Sequence, residues 1–266
     1  MRYLGLLLFC FLSANAGVYY AKVEPFLAYT LKASYGGEVT AAAQGLEGKI
    51  SDGSLVVQLD DVLDKKELKS SLDKHTALSK TSQFIQENIL NAKEIVRIKE
   101  DNYARIKDLK TKSKVDKDNE LINVITVQNQ LLTLEQSFEN IRVQLSDLDY
   151  HIALLKDKID KKNLHVSKGD LIYKLYVSKG DYVLNGASLI DVYDVNQGKL
   201  TLFLSKEDKA LAEHGVMYID EQKSDIKIHK IWNVADSQNI SAYRCEILLP
   251  NPKDFSVLRK IEFKEK

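Results

Sequence analysis

The sequence predicts an α+β chain in which a long antiparallel coiled-coil α-hairpin interrupts a β-domain and a small β-barrel follows. Three observations lead there. Residues 62–162 contain neither glycine nor proline, the residues that punctuate structure most strongly. Within that stretch apolar residues recur at alternating steps of three and four, the signature of a helix with one persistent contact face. The segments on either side resemble one another: Ile50, Gly53, Val56 and Leu59 align with Val183, Gly186, Leu189 and Val192. A repeated β-unit split by a hairpin of this length makes a spacer, not the frame of a catalytic pocket.

The first element is an export signal over residues 1–16. Arg2 supplies the positive start, Tyr3 to Leu12 a short apolar run, and Ala14-Asn15-Ala16 a small-x-small cleavage site before Gly17. The run is too short to span a bilayer as a stable helix. Retention as an anchor is the second reading. Lipid attachment at Cys10 is the third, because Phe9 stands where a lipoprotein signal wants a small residue. For a bacterial chain the compartment so reached is the periplasm.

Residues 17–61 read as strand and turn. Val23 to Leu31 alternates loosely, Gly36-Gly37 breaks it, and Leu55 to Leu59 is a short apolar run bounded by turn residues, as a buried strand requires. Gly53 permits the positive φ of a tight turn.

Residues 62–162 form the hairpin. The second arm carries Val124, Val127, Leu131, Leu134, Phe138, Ile141, Leu145, Leu148, Ile152, Leu155 and Ile159 on one seam without a slip. The first arm carries a rougher stripe through Leu78, Ser82, Ile85, Ile89, Ala92, Val96, Tyr103 and Ile106. A seven-residue period held this long implies a left-handed two-helix coil. The stripe stops near Thr111 to Asp116, where Lys110, Lys112, Lys114 and Lys117 crowd around Ser113. Asp116 is placed there as the N-cap of the returning helix, with Glu120 favouring the positive helix end. Each arm is then about 70 Å long.

Strand patterning resumes over 163–197, through Gly180-Asp181-Tyr182-Val183 and on to Val192, with Gly186 in the turn equivalent to that of Gly53. Over 198–266 short alternating runs follow one another: Gly198 to Leu204, Ile226 to Ile228, Tyr243 to Leu249 and Lys260 to Phe263. Short strands in such succession predict a small β-barrel.

Composition excludes several functions. Lys and Arg number 38, Asp and Glu also 38, so no overall field draws the chain to nucleic acid or an anionic membrane. After the signal Cys245 is the sole cysteine, so no internal disulfide can form. His75, His151, His165, His214 and His229 lack metal-ligand spacing, and Met217 is the sole methionine after the signal, too few thioethers for a soft-metal site. No nucleophile–base arrangement is visible, and no enzymatic activity or cofactor is expected.

This order of parts resembles the periplasmic adaptors of bacterial efflux and secretion, the HlyD family of membrane fusion proteins. In that family a lipoyl-like β-domain is split by a coiled-coil hairpin and followed by a β-barrel. Val177, Gly180, Asp181, Val183, Gly186 and Leu189 stand where the family pattern has them, and Leu200 to Asp208 resembles the entry to its barrel. Glu47 departs from it, standing where a leading glycine is expected. Lipoate or biotin carriers share the lipoyl-like fold but present a lysine where this chain has its hairpin. The resemblance implies a subunit without chemistry of its own. It would bridge an inner-membrane transporter, of RND or ABC type, to a TolC-type outer-membrane channel, self-associating as a ring of six. The short C-terminal part implies a reduced or absent membrane-proximal domain. Family members that dock on such channels carry an Arg, a Leu four residues on and a Ser seven beyond. Here Arg105, Leu109 and Asp116 have that spacing, with Asp in place of Ser. A structural coiled-coil spacer of the cell envelope with no transport role is the competing reading.

Overall fold

A computed structural model of the chain describes residues 17–236, 239 and 241–265. The signal expected over 1–16 lies outside the described residues. The elements, in order, are β1 (Val18–Lys22), β2 (Glu24–Lys32), β3 (Gly37–Ala42), β4 (Leu55–Leu59), α1 (Val62–Ile106), α2 (Lys114–Lys161), β5 (Asn163–His165), β6 (Leu171–Leu175), β7 (Tyr182–Val183), β8 (Ser188–Leu204), α3 (Lys206–His214), β9 (Val216–Ile219), β10 (Gln222–Lys223), β11 (Ile228–Ile231), β12 (Tyr243–Pro250) and β13 (Leu258–Lys264). They divide into two compact units. One takes the chain up to Ala33, Val39–Val57 and everything from His165; the other takes Ser34–Glu38 and Gln58–Leu164.

In the β-unit the 17-residue β8 is the spine. Its first part pairs antiparallel with β2 and β6, and its second with β12, from Tyr243↔Leu204 to Pro250↔Gln197. The sheet runs β11-β12-β8-β2, with β6 also on β8. A second sheet runs β1-β13-β9-β10. Alternation along the strands builds one core from both: Leu200, Leu202 and Leu204 of β8, Cys245 and Ile247 of β12, Ile261 and Phe263 of β13, with Met217 and Ala21. A third sheet has the order β5-β4-β3-β7.

The barrel expected after residue 198 is not closed among the described residues; both hydrogen-bonded paths are open. The interruption is α3, which separates β8 from β9 and sends them to different sheets. Ser205 caps α3, its hydroxyl accepting from the Asp208 N–H at 3.0 Å. Gly215 ends it where a Cβ would meet the Lys264 and Leu211 carbonyl oxygens at 2.4 and 2.6 Å. The strand that completes the second sheet comes from the other end of the chain: β1 pairs with β13, Val18↔Glu262 through Lys22↔Leu258.

The second unit is the hairpin. Its helices run 45 and 48 residues and pair antiparallel, as shown by Lys93–Glu135 at 3.3 Å, Gln128–Glu100 at 2.8 Å and His75–Asp149 at 3.1 Å. All eleven apolar seam positions of α2 are buried or half-buried, and so are the stripe residues of α1. The α1 stripe is more regular than its apolar residues suggest. Asp64, Leu68, Ser71, His75 and Lys99 continue the same heptad and are themselves buried or half-buried. Polar pairs enter the seam toward both ends: Lys99 meets Glu120 at 3.6 Å on the turn side, and Asp64 meets Lys158 (2.8 Å) and Lys162 at the base.

Candidate functional site: the hairpin turn

The turn is built by two helix ends. α1 closes at Lys107, whose N–H donates to the Tyr103 carbonyl at 2.9 Å, and the Leu109 N–H donates to the Ile106 carbonyl at 3.1 Å. α2 opens with a capping box. The Ser113 hydroxyl accepts from the Asp116 N–H at 3.1 Å, and the Asp116 carboxylate accepts from the Ser113 N–H at 3.4 Å. Two orphan N–H groups are satisfied reciprocally.

This corrects two sequence expectations. The N-cap is Ser113, not Asp116; Asp116 is the third helical residue and supports the cap from inside the helix. A serine three residues before an acidic residue was the available signal. The four-residue step from Arg105 to Leu109 predicts one helical turn and a shared face, but α1 ends at Ile106 and Leu109 lies in the connecting turn. Arg105, in the last turn of α1, is exposed and favourably placed for the negative helix end. Leu109 and Val115 flank the cap with 45% and 67% of their surfaces in water. The turn therefore offers cations and two apolar side chains to the solvent.

The second group of candidate residues sits in the β-unit and carries backbone geometry. Gly53, Gly180 and Gly186 have φ of +93°, +94° and +84°, a region open to glycine at little cost. The Gly180 N–H donates to the Val39 carbonyl and the Val39 N–H to the Asp181 carbonyl, both at 2.8 Å. The Asp181 carboxylate accepts from the Ser178 N–H at 2.7 Å. One signal was passed over: Val166-Ser167-Lys168-Gly169-Asp170 recurs as Val177-Ser178-Lys179-Gly180-Asp181. The two copies fold alike. Gly169 has φ +97°, its N–H donates to the Ser51 carbonyl at 2.9 Å, and the Ser51 N–H donates to the Asp170 carbonyl at 2.8 Å. Each copy clasps the backbone of one residue, Val39 of β3 or Ser51 ahead of β4, by the same pair of bonds. Glu47, the departure from the family pattern, accepts from the Leu175 N–H at 3.0 Å.

Nothing in these surroundings resembles reactive machinery. Cys245 is fully buried, and burial, then the neighbouring Glu246 charge, push its thiol up to about 12. His75 and His151 face Asp149 and Glu67 across the hairpin, each at 3.1 Å. Among the described residues no three His, Cys, Asp or Glu side chains gather as metal ligands, and no helix is long and apolar enough to cross a membrane.

No protein-family model matches the sequence, and no curated protein matches it. Solved structures do. MacA from Actinobacillus actinomycetemcomitans superposes with a TM-score of 0.62 at 15% identity, over 94% of this chain and 78% of that one. A membrane fusion protein from Streptococcus pneumoniae R6 gives 0.53 at 14% identity, over 94% and 99%. A MacA–MexA chimera carrying the Pseudomonas aeruginosa MexA α-hairpin domain gives 0.56 at 14% identity, over 94% and 81%. At these identities the likeness concerns architecture: this chain has the fold of the membrane fusion proteins.

Proposed function

We propose that the chain is a periplasmic adaptor of the HlyD family, serving a multi-component efflux or secretion system. In this reading it bridges an inner-membrane transporter, of RND or ABC type, to a TolC-type outer-membrane channel. The observation that carries the reading is the hairpin: two helices of 45 and 48 residues closed by a short exposed turn and inserted within one β-unit. Such an insertion gives reach, about 70 Å along each helix, without adding a pocket. Residues 17–61 and 163–197 act as two halves of a lipoyl-like domain, and 198–266 as the barrel-type domain. Six copies form the ring. The transporter supplies the energy; the adaptor seals the path and couples the two membranes' components. Arg105, Leu109 and Asp116 form the channel-contact end.

The test is site-specific photo-crosslinking in cells, with a photoreactive amino acid at Leu109. Capture of an outer-membrane channel subunit in exporting cells is the expected result. Export with no capture at Leu109, together with capture from a residue of the β-unit, would overturn the assignment of the turn as the docking end. A chain that co-purifies with no transporter at all would leave the structural spacer.

A further inference from the structure

Gly17 stands just ahead of β1, and its N–H donates to the Asp208 carboxylate of α3 at 3.4 Å, across 191 residues of sequence. The same carboxylate accepts from the Tyr19 hydroxyl at 2.5 Å and from the Ser205 hydroxyl at 3.0 Å. Burial, then the hydrogen bond to Asp208, raise the Tyr19 hydroxyl above its ordinary 10, so it is a neutral donor at physiological pH. Three donors thus converge on half-buried Asp208, and none of them is charged. Lys209, its neighbour in sequence, turns instead to Glu213 at 3.6 Å and Asn233 at 2.7 Å. Among the described residues Asp208 has no cationic partner, and a carboxylate drawn out of water wants one.

Position 17 is shaped for glycine. A Cβ there would lie 2.5 Å from an Asp208 carboxylate oxygen, 3.0 Å from the Asp208 Cγ and 2.9 Å from the Tyr19 ring. The Asp208 side chain cannot easily give way, because Tyr19 and Ser205 pin it. The export pattern makes no such demand, since Ala14 and Ala16 carry the small-x-small signal. Two independent features therefore fall together: the bond read as the cleavage site, and the residue whose nitrogen touches Asp208.

We propose that Asp208 receives the processed N-terminus: hydrolysis of the Ala16–Gly17 bond frees a Gly17 α-ammonium that ion-pairs with the Asp208 carboxylate and fastens β1 in the β-unit. The reaction belongs to a signal endopeptidase of the export pathway. Water adds its oxygen to the Ala16 carbonyl carbon, the C–N bond breaks, and both water protons pass to the Gly17 nitrogen. The departing segment leaves with the new Ala16 carboxylate. An α-amino group titrates ordinarily at about 7.7–8.0, so the new terminus is positive at neutral pH. The nitrogen that offered one neutral N–H now offers three with a charge, and charge-assisted bonds of this kind are stronger.

The consequence reaches the second sheet. There β1 is the edge strand beside β13, and its leading residue is tied to the first turn of α3. Removal of the signal and fastening of that strand are one event. Retention of residues 1–16 as an anchor, or a lipid on Cys10, would leave an amide at Gly17 and Asp208 without its cation. The inference rests on the export signal and is independent of the adaptor reading.

The experiment expresses the full-length chain in a bacterium with a working export pathway and measures its intact mass. A chain beginning at Gly17 is the expected result; one that keeps Met1, a lipid on Cys10 or any other first residue overturns the proposal. The processed chain then enters a double-mutant cycle: unsubstituted, Asp208→Asn, one serine inserted between Ala16 and Gly17, and both changes together, each N-terminus checked by mass. The insertion returns an amide to Gly17 and moves the ammonium about 3.3 Å along the chain. Unfolding of the β-unit is followed by the fluorescence of Trp232, the sole tryptophan. Asp208→Asn should lower the thermal midpoint by about 3 °C without the insertion and by less than about 1 °C with it. Equal losses in the two backgrounds would mean that Asp208 serves only Tyr19 and α3, and would overturn the ion pair. Gly17→Ala keeps the ammonium but pushes its Cβ into Asp208, and should lower the midpoint about as far as the insertion does. A Gly17→Ala chain as stable as the original would overturn the seat.

Discussion

At the base of the hairpin, Asp64, Lys158 and Lys162 join the two helices, with Asp64 and Lys162 only 8% and 9% exposed at their side chains. Lys162 also donates to the Asp60 carbonyl at 2.7 Å, and Asn163 donates to Asp61 at 3.1 Å. At the turn, Arg105 and the lysines at 107, 110, 112, 114 and 117 form no ion pair among the described residues. The same two helices thus spend charge in opposite ways. Buried ions at the base cost desolvation and return little net stability, but they are intolerant of mispairing and so fix register. The turn keeps its cations hydrated, and what holds it in shape is the capping box. A base that specifies and a turn that presents is the division of labour expected of a spacer that meets something at its end.

The largest break of this contrast is at the base. Asp64→Ala leaves Lys162 buried beside a lost partner and should cost about 3–5 kcal/mol of hairpin stability, read from the urea midpoint of helical signal. A loss below about 1 kcal/mol, the ordinary worth of an exposed ion pair, would mean that the base is no more specified than the turn. The same site gives a pH signature. Burial alone would raise the Asp64 carboxyl, but hydrogen bonds from Lys158 and then Lys162 override it and hold it below its usual 3.8. A depressed carboxylate contributes stability that is complete above the unfolded value and disappears as pH falls through the folded one. Thermal midpoints measured from about pH 5 down to about pH 2 should fall in the unsubstituted chain more steeply below pH 4 than in Asp64→Asn. Parallel curves would remove Asp64 as the source.

The seam between the two ends comes next. Ile152 toward the base and Val124 toward the turn are 7% and 5% exposed. Ile152→Ala should cost about 2–4 kcal/mol, and Val124→Ala, deleting less, correspondingly less. Because the β-unit has its own core, its hydrogen-exchange protection should be unaffected in both. Cooperative loss across the whole chain would contradict two separate units.

How much of this was legible beforehand follows from locality. The helices were, because a heptad is a local pattern and Val124 to Ile159 keeps it without interruption. The α1 seam is legible from Leu78 to Ile106 except at Lys99; toward the base Asp64, Leu68, Ser71 and His75 obey the same period, but three of those four carry polar side chains, and only the period points to them. The β1–β13 pairing joins residues some 240 apart in the chain, and no local signal announces it. The open β-paths were missed for a related reason: strand runs predict strands, while the partner of each strand depends on where α3 sends the chain. At the turn, Asp116 competes as a cap because Asp is a good N-cap, but Ser113 with an acidic residue three positions on is the stronger pattern. The repeat around Gly169 and Gly180 is visible in the sequence, but its meaning lies in the matching backbone bonds to Ser51 and Val39, which are distant in the chain.

Effects at the turn should be small in stability. Ser113→Ala removes the acceptor of the Asp116 N–H and should cost about 1 kcal/mol, with fraying confined to the first turn of α2 in amide exchange. A loss as large as that of Asp64→Ala would show that the turn, too, is a specifying element, and the contrast between the two ends would collapse.

The smallest expected change in stability is the one with the largest expected change in function. Arg105 and Leu109 are exposed, so Arg105→Ala and Leu109→Ser should alter stability by no more than about 0.5 kcal/mol. If the turn is the channel-contact end, as proposed, export should nevertheless be lost in both, because an Arg fork suited to carbonyl or carboxylate oxygens and an apolar anchor are then missing from it. Asp116→Ser separates the two roles of that residue. Serine cannot hold the reciprocal bond to the Ser113 N–H as a carboxylate does, so a few tenths of a kcal/mol should go. Export should persist, since a serine stands at this place in channel-docking relatives. If Arg105→Ala and Leu109→Ser export normally at unchanged stability, the hydrated cations of the turn are merely solvated and the meeting point lies elsewhere on the chain.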